Sequence, residues 1–169
     1  MTAIVPFTPH HTEKVIGLIL PIQQIEFGLA ISLADQSDLL DIAAVYQRGT
    51  GNFWVALDGD DVVGTLAMLD IGNRQGAVRK MFVHASRRGA TRGVARSLLE
   101  TLTAWCVDRD VRELYLGTTA PMHAAHHFYA RNGFDEIAPS ELPERFPVMA
   151  VDTKFYRRTV TRTDLPGYR

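Results

Sequence analysis

The stretch Lys80–Leu99 reads KMFVHASRRGATRGVARSLL: an apolar run, a turn rich in Gly and Arg, and the opening of an amphipathic helix. Met81, Phe82 and Val83 read as the end of a buried strand. Beyond the turn Val94, Ala95, Leu98, Leu99, Leu102 and Cys106 recur at helical spacing. The turn therefore stands at a helix N-terminus, where the first backbone N–H groups lack intrahelical acceptors and the macrodipole is positive. Such a turn can hold a phosphate by main chain alone. Gly89 and Gly93 carry no Cβ to keep a ligand off the backbone. Arg87, Arg88 and Arg92 add charge-assisted donors whose planar fork suits phosphate oxygens. The candidate anion-binding residues are thus Arg88, Gly89, Thr91, Arg92, Gly93, Val94 and Ala95. Taken alone, the same residues also make an ordinary solvated strand-to-helix turn.

Two familiar nucleotide turns are excluded by spacing. The phosphate loop of nucleoside triphosphatases needs G-x-x-x-x-G-K-[ST], and no Gly-Lys follows Gly89 at that offset. A dinucleotide turn needs G-x-G-x-x-G and an acidic residue about 20 positions on, and that is absent too.

A second segment narrows the reading. Leu114–Thr119 is a strand, Pro121 opens a helix carrying Ala125, Phe128 and Tyr129, and Asn132-Gly133-Phe134 ends it. The first segment resembles the acetyl-CoA motif [QR]-x-x-G-x-[GA] of the GNAT superfamily of N-acetyltransferases, with Gly93-Val94-Ala95 as its second half. Three residues before Gly93 stands Ala90 rather than Arg or Gln, so the turn reads as lengthened by two residues with Arg88 kept. The second segment resembles the A-x-x-F-Y-x-x-x-G-F signature that follows in that superfamily, and the likeness runs from about Val62 to Phe134.

The resemblance implies a single mixed α/β domain over residues 1–169. A central, mostly antiparallel sheet would be flanked by helices, with strands splayed at the acetyl-CoA site. It implies direct acetyl transfer from acetyl-CoA to an amine in a ternary complex, the amine belonging to a small molecule, a protein N-terminus or a lysine. The backbone of Met81, Phe82 and Val83 would pair with the pantetheine arm and polarise the thioester oxygen. Tyr129 would protonate the departing thiolate; its reference pKa of about 10, against about 8.5 for a thiol, keeps it protonated at neutral pH. Phe128 and Tyr129 would also serve simply to pack the helix on the sheet. Where many members carry a strand Glu as general base this chain has Ala77, so another residue or a water chain must take the proton; the resemblance puts Glu26 in the region that walls the acceptor site and makes it the candidate base, with Asp70 and His84 as alternatives. A frequent Asn of the second motif is here Met122. A non-catalytic CoA-binding module of the same fold is the alternative function.

Composition agrees with one enzyme-sized domain: 169 residues, 46% apolar and 22% charged, enough for a core without disulfides. A net charge of −1 gives no electrostatic footprint for nucleic acid, and no apolar run reaches membrane-spanning length. One cysteine and a start without a basic-then-apolar leader point to a cytoplasmic protein. Cys106 falls on the apolar helix face and is not expected to react. His123, His126 and His127 lack a carboxylate or thiolate set, so no metal is expected. A homodimer is compatible with this reading and is not specified by it.

Around the two motifs, the first strand is expected at Ala3–Phe7 and a helix from Pro9 to about Leu20, ended by Pro21. A second helix is expected over Ser37–Tyr46. Phe53–Leu57, Val62–Ile71 and Gly76–Val83 read as an antiparallel meander. Two more strands are expected at Phe134–Ile137 and Val148–Tyr156, and residues 157–169 as a basic tail.

Overall fold

A computed structural model describes residues 2–89 and 93–165. Among the described residues seven strands form one open sheet: β1 Thr2–Pro6, β2 Asn52–Asp58, β3 Asp61–Asp70, β4 Gln75–Val83, β5 Glu113–Thr118, β6 Asp135–Ile137 and β7 Lys154–Thr159. The helices are α1 Thr12–Pro21, α2 Ile42–Tyr46, α3 Val94–Asp108 and α4 His123–Arg131. The strand order is β1-β2-β3-β4-β5-β7-β6, antiparallel except for β4 beside β5. This is the mixed, mostly antiparallel sheet with helical layers that the motifs imply.

Each face of the sheet buries its own core. On one side α3 lays Val94, Leu98, Leu99, Leu102 and Cys106 against Leu66, Met68, Val78 and Leu114. Gly64 lets α3 come close, since a Cβ there would stand 3.0 Å from Val94 Cγ1 and 3.1 Å from Leu98 Cδ1. On the other side α1 and α2 cover Phe53, Val55 and Ala67 with Val15, Leu18, Ile19 and Tyr46. Among the described residues no helix is long and apolar enough to cross a membrane.

α1 ends at Pro21 as expected, although Pro21 keeps helical angles of −61° and −37° and the chain runs on through a wide turn, Ile22–Glu26, closed by Phe27 N–H on Ile22 C=O. Four other expectations are corrected. The helix expected over 37–46 is a 3₁₀ turn, Ser37–Leu40, and the short α2, broken at Asp41. Here Asp38 is drawn inward to the Tyr46 hydroxyl and to Lys80, a tertiary pull that local periodicity does not report. Pro121 lies before α4 in a turn closed by Met122 N–H on Thr119 C=O.

The last strand starts at Lys154 rather than Val148, because Met149–Asp152 is a turn. Asp152 N–H bonds Met149 C=O at 3.0 Å, and the Asp152 carboxylate accepts from Met149 N–H at 2.9 Å. It also runs further than expected, taking Arg157, Arg158 and Thr159 from the basic tail into β7, with Val160 buried after them.

Candidate active site

Strands β4 and β5 pair over only three residues, Gln75 with Glu113, Gly76 with Leu114 and Ala77 with Tyr115. Past Ala77 they part. Leu116–Thr118 stay with β7 while Phe82 and Val83 stay with β3, and a cleft opens between them. The cleft is open to solvent.

A β-bulge sets what β4 shows to this cleft. The register with β3 slips between Thr65 and Ala67, and Lys80 takes a left-handed φ of 55°. The Lys80 carbonyl freed by the slip accepts from Thr65 Oγ1 at 2.7 Å. Regular alternation would send Lys80 with Val78 toward α3. Instead Arg79 and Lys80 both turn to the α1 and α2 side, after which Met81 and Val83 face the α3 core and Phe82 the other. Lys80 is buried and bonded by Nζ to Gln36 Oε1 at 2.5 Å and to Asp38 at 3.3 Å. Burial pulls its pKa down and the Asp38 charge opposes that shift. Gln36 in turn exchanges two amide hydrogen bonds with Gln23, at 2.9 and 2.8 Å. This buried network supports one wall of the cleft, and no spacing in the sequence signals it.

His84 N–H donates to Val63 C=O at 2.8 Å, so by antiparallel alternation the polar groups of Val83 face away from β3, where its carbonyl accepts from Arg88 Nε at 2.8 Å. Met81 and Phe82 are half-buried and line the cleft, while Val83 is buried and does not. The Gly-Arg turn follows. Gly89 has φ 103° and Gly93 φ 70°, and no atom stands within 4 Å of where a Cβ would sit on either. Thr91 and Arg92 lie outside the described residues. Val94 buries its side chain in the α3 core and Ala95 packs against it, leaving only their backbone N–H groups at the helix start.

Tyr129 is placed by how α4 ends. Gly133 takes φ 86°, and Phe134 N–H returns to Tyr129 C=O at 3.1 Å while the Phe134 ring packs on the Tyr129 ring at 5.4 Å. That is a Schellman end with its accompanying apolar contact. Tyr129 is 5% exposed and lines the cleft, and its hydroxyl has no hydrogen-bond partner among the described residues. Burial pushes the phenol further toward its protonated form. Thr119 Oγ1, also on the cleft wall, is buried with no partner among the described residues. Orphaned polar atoms at a cleft fit a polar ligand.

Glu26 is not brought into the cleft. Its carboxylate is forked onto the Arg88 guanidinium, with Arg88 Nη2 at 2.8 Å from Oε2 and a second bond from Nη1. Hydrogen bonding from Arg88 lowers its pKa, which makes it a poor proton acceptor. Asp70 is engaged in turns through Thr50 N–H and Gly72 N–H, and His84 caps Ser86 N–H. The carboxylate that does line the cleft is Asp152, which in the sequence reads as part of a strand.

The histidines lie elsewhere, in a pocket shared with Glu136, Lys154 and Tyr156, where His126 Nε2 is 3.0 Å from Thr119 C=O. Cys106 is fully buried beside Met68, and burial pushes its thiol up to about 12. Cys106→Ser is therefore expected to leave kcat unchanged while urea unfolding shows a loss of about 1–2 kcal/mol from the buried hydroxyl.

Comparison with known proteins gives these features a family. A model described as the acetyltransferase (GNAT) family matches residues 21–134. The chain is similar to an acetyltransferase of the GNAT family from Staphylococcus aureus Mu50, at 33% identity and a TM-score of 0.91 over 95% of this chain and 100% of that one. N-acetyltransferase 8F1 of Rattus norvegicus is 29% identical over 106 residues, 60% of this chain and 47% of its own. The chain thus spans about half the length of the curated relatives it matches. N-acetylglutamate synthase from Neisseria gonorrhoeae, complexed with coenzyme A and N-acetyl-glutamate, shares the fold at 16% identity and a TM-score of 0.72, over 96% of this chain and 36% of that one. Since the matched residues run through the parted strands, the Gly-Arg turn and Tyr129 alike, the chain belongs to the acetyltransferase (GNAT) family.

Proposed function

We propose that the protein is an N-acetyltransferase that moves the acetyl group of acetyl-CoA directly to an amine while both substrates are bound. One observation carries the reading: the Tyr129 hydroxyl, unpartnered among the described residues and pushed toward its protonated form by burial, lines the cleft where β4 and β5 part. The residues present fit the cofactor. The open backbone at Gly89 and Gly93 and the first N–H groups of α3 receive the pyrophosphate. The unpaired edge of β4 around Met81–Val83 receives the pantetheine arm and offers N–H groups to the oxyanion that develops at the thioester carbonyl. Tyr129 gives its proton to the leaving thiolate. A buried thiol as the one cysteine suits a reducing, cytoplasmic setting.

The test is direct. Thiol release from acetyl-CoA in the presence of amines should show intersecting double-reciprocal plots, as a ternary complex requires. Parallel plots would indicate a covalent acetyl-enzyme instead. Coenzyme A at 100 times its Kd should stabilise the fold by about 2.7 kcal/mol. For a chain of this size that is a rise in Tm of about 5–10 °C by calorimetry. Binding of coenzyme A with no turnover on any amine would favour the non-catalytic module.

A further inference from the structure

On the side of the cleft away from α3 and α4, the fold leaves two opposite charges without ion partners among the described residues. Arg79 faces there by the regular alternation of β4, next to Val78, which packs in the α3 core. Its half-buried guanidinium makes one hydrogen bond among the described residues, to Met149 Sδ at 3.0 Å. A thioether is a weak acceptor for a group with five N–H donors, and a guanidinium so placed ordinarily holds a carboxylate or several carbonyls. Asp152 enters from the Met149–Asp152 turn and lies against β5 at Gly117, where a Cβ would stand 2.7 Å from its carboxyl carbon. The missing side chain of Gly117 is what lets this carboxylate reach the cleft.

Only Met149 N–H bonds the Asp152 carboxylate, through Oδ2, so Oδ1 is left open among the described residues. Burial raises its pKa, while the bond from Met149 N–H and the Arg79 charge pull the other way. Arg79 and Asp152 do not come within salt-bridge distance of each other. The neighbouring cation, Lys80, is already held by Asp38 and Gln36. Among the described residues, one free cation and one free anion therefore face the same space, beside apolar walls of Leu29, Ile31, Phe146 and Val151.

We propose that the acceptor is a small amino-carboxylate, an amino acid with a free carboxylate and an apolar side chain, whose carboxylate is taken by Arg79 and whose amine by Asp152. This rests on the acetyl-transfer reading above. A planar guanidinium binds a carboxylate by two parallel N–H bonds, which fixes the amine a few bonds away. The ammonium gives one proton to Asp152, which passes it to water. The nitrogen lone pair then forms the C–N bond as the C–S bond breaks. Sulfur takes the electron pair and the Tyr129 proton, and the proton shed by nitrogen on forming the amide restores the Tyr129 hydroxyl. An acceptor without the carboxylate leaves Arg79 unpaired in the cleft, a situation that discriminates strongly.

The experiment measures thiol release from acetyl-CoA with each of the twenty common L-amino acids. L-leucine, L-methionine and L-phenylalanine are also compared with their amides and their decarboxylated amines. Free acids should exceed the matching amides in kcat/KM by about 10-fold or more. That ratio should fall toward one in Arg79→Met and be partly restored in Arg79→Lys, with the coenzyme A thermal shift reporting that each variant is folded. Amides or simple amines that match the acids, or a preference that survives Arg79→Met, overturn the proposal. So does turnover of other amines with none of the amino acids. Coenzyme A binding without turnover of any amine counts against the acetyl-transfer reading itself, which separates the two failures.

Discussion

Tyr129→Phe should lower kcat by about 10²–10⁴ with little change in KM, because the missing hydroxyl acts as the thiolate leaves and not before. The substitution is unusually clean. The ring contacts to Phe134 at 5.4 Å and Tyr156 at 6.1 Å are retained. The hydroxyl removed has no partner among the described residues, so no bond is broken and no acceptor is orphaned. Unfolding free energy should therefore stay within about 0.5 kcal/mol of the parent. Steady-state kinetics and urea melts read the two quantities separately. Undiminished turnover, measured where chemistry limits the rate, would take Tyr129 out of the mechanism and leave water as the proton source.

Gly93→Val should weaken coenzyme A by about 100-fold, the equivalent of losing two charge-assisted backbone hydrogen bonds to the pyrophosphate. The side chain would fill the open space at the start of α3. It would also strain the backbone, since φ at Gly93 is 70° and a β-branched residue there costs about 1–3 kcal/mol. Gly59 separates the two effects: it has φ 61°, nothing within 4 Å, and sits in the β2–β3 turn. Gly59→Val should lose similar stability and keep its affinity for coenzyme A in calorimetry. Equal affinity in both variants would show the Gly93 turn to be structural only.

How far the fold and the site are legible in the amino-acid sequence depends on the range of the interaction that fixes each part. The β2–β3–β4 meander is legible because Asp58-Gly59-Asp60-Asp61 and Gly72-Asn73 mark its turns within the chain itself. Tyr129 is legible because Gly133 and Phe134, which fix it, lie within five residues. Glu26 is the contrary case: its partner Arg88 is 62 residues away, and nothing near Glu26 announces that it is bound elsewhere. Asp152 is hidden differently. Val148–Tyr156 has the β-branched and aromatic content of a strand, and only the carboxylate turning back on Met149 N–H breaks it. Lys80 is hidden by its own pattern, because a bulge shifts the alternation of β4 by one and a fixed period of two places the wrong residues on each face.

The Schellman end of α4 makes helix length a functional quantity. The residues that stop the helix also hold Tyr129, so the phenol is indexed to the C-terminus of α4 rather than to its loosely capped start at Met122. Successive helical positions differ by about 100° in direction and 1.5 Å in height. A residue inserted or deleted among His123–Arg131 can be absorbed harmlessly only at the N-terminal end, whereas one added between Tyr129 and Gly133 swings the hydroxyl off the cleft with every secondary structure intact. Tolerance to length change along this helix should therefore be lopsided, free at the entry and closed at the exit.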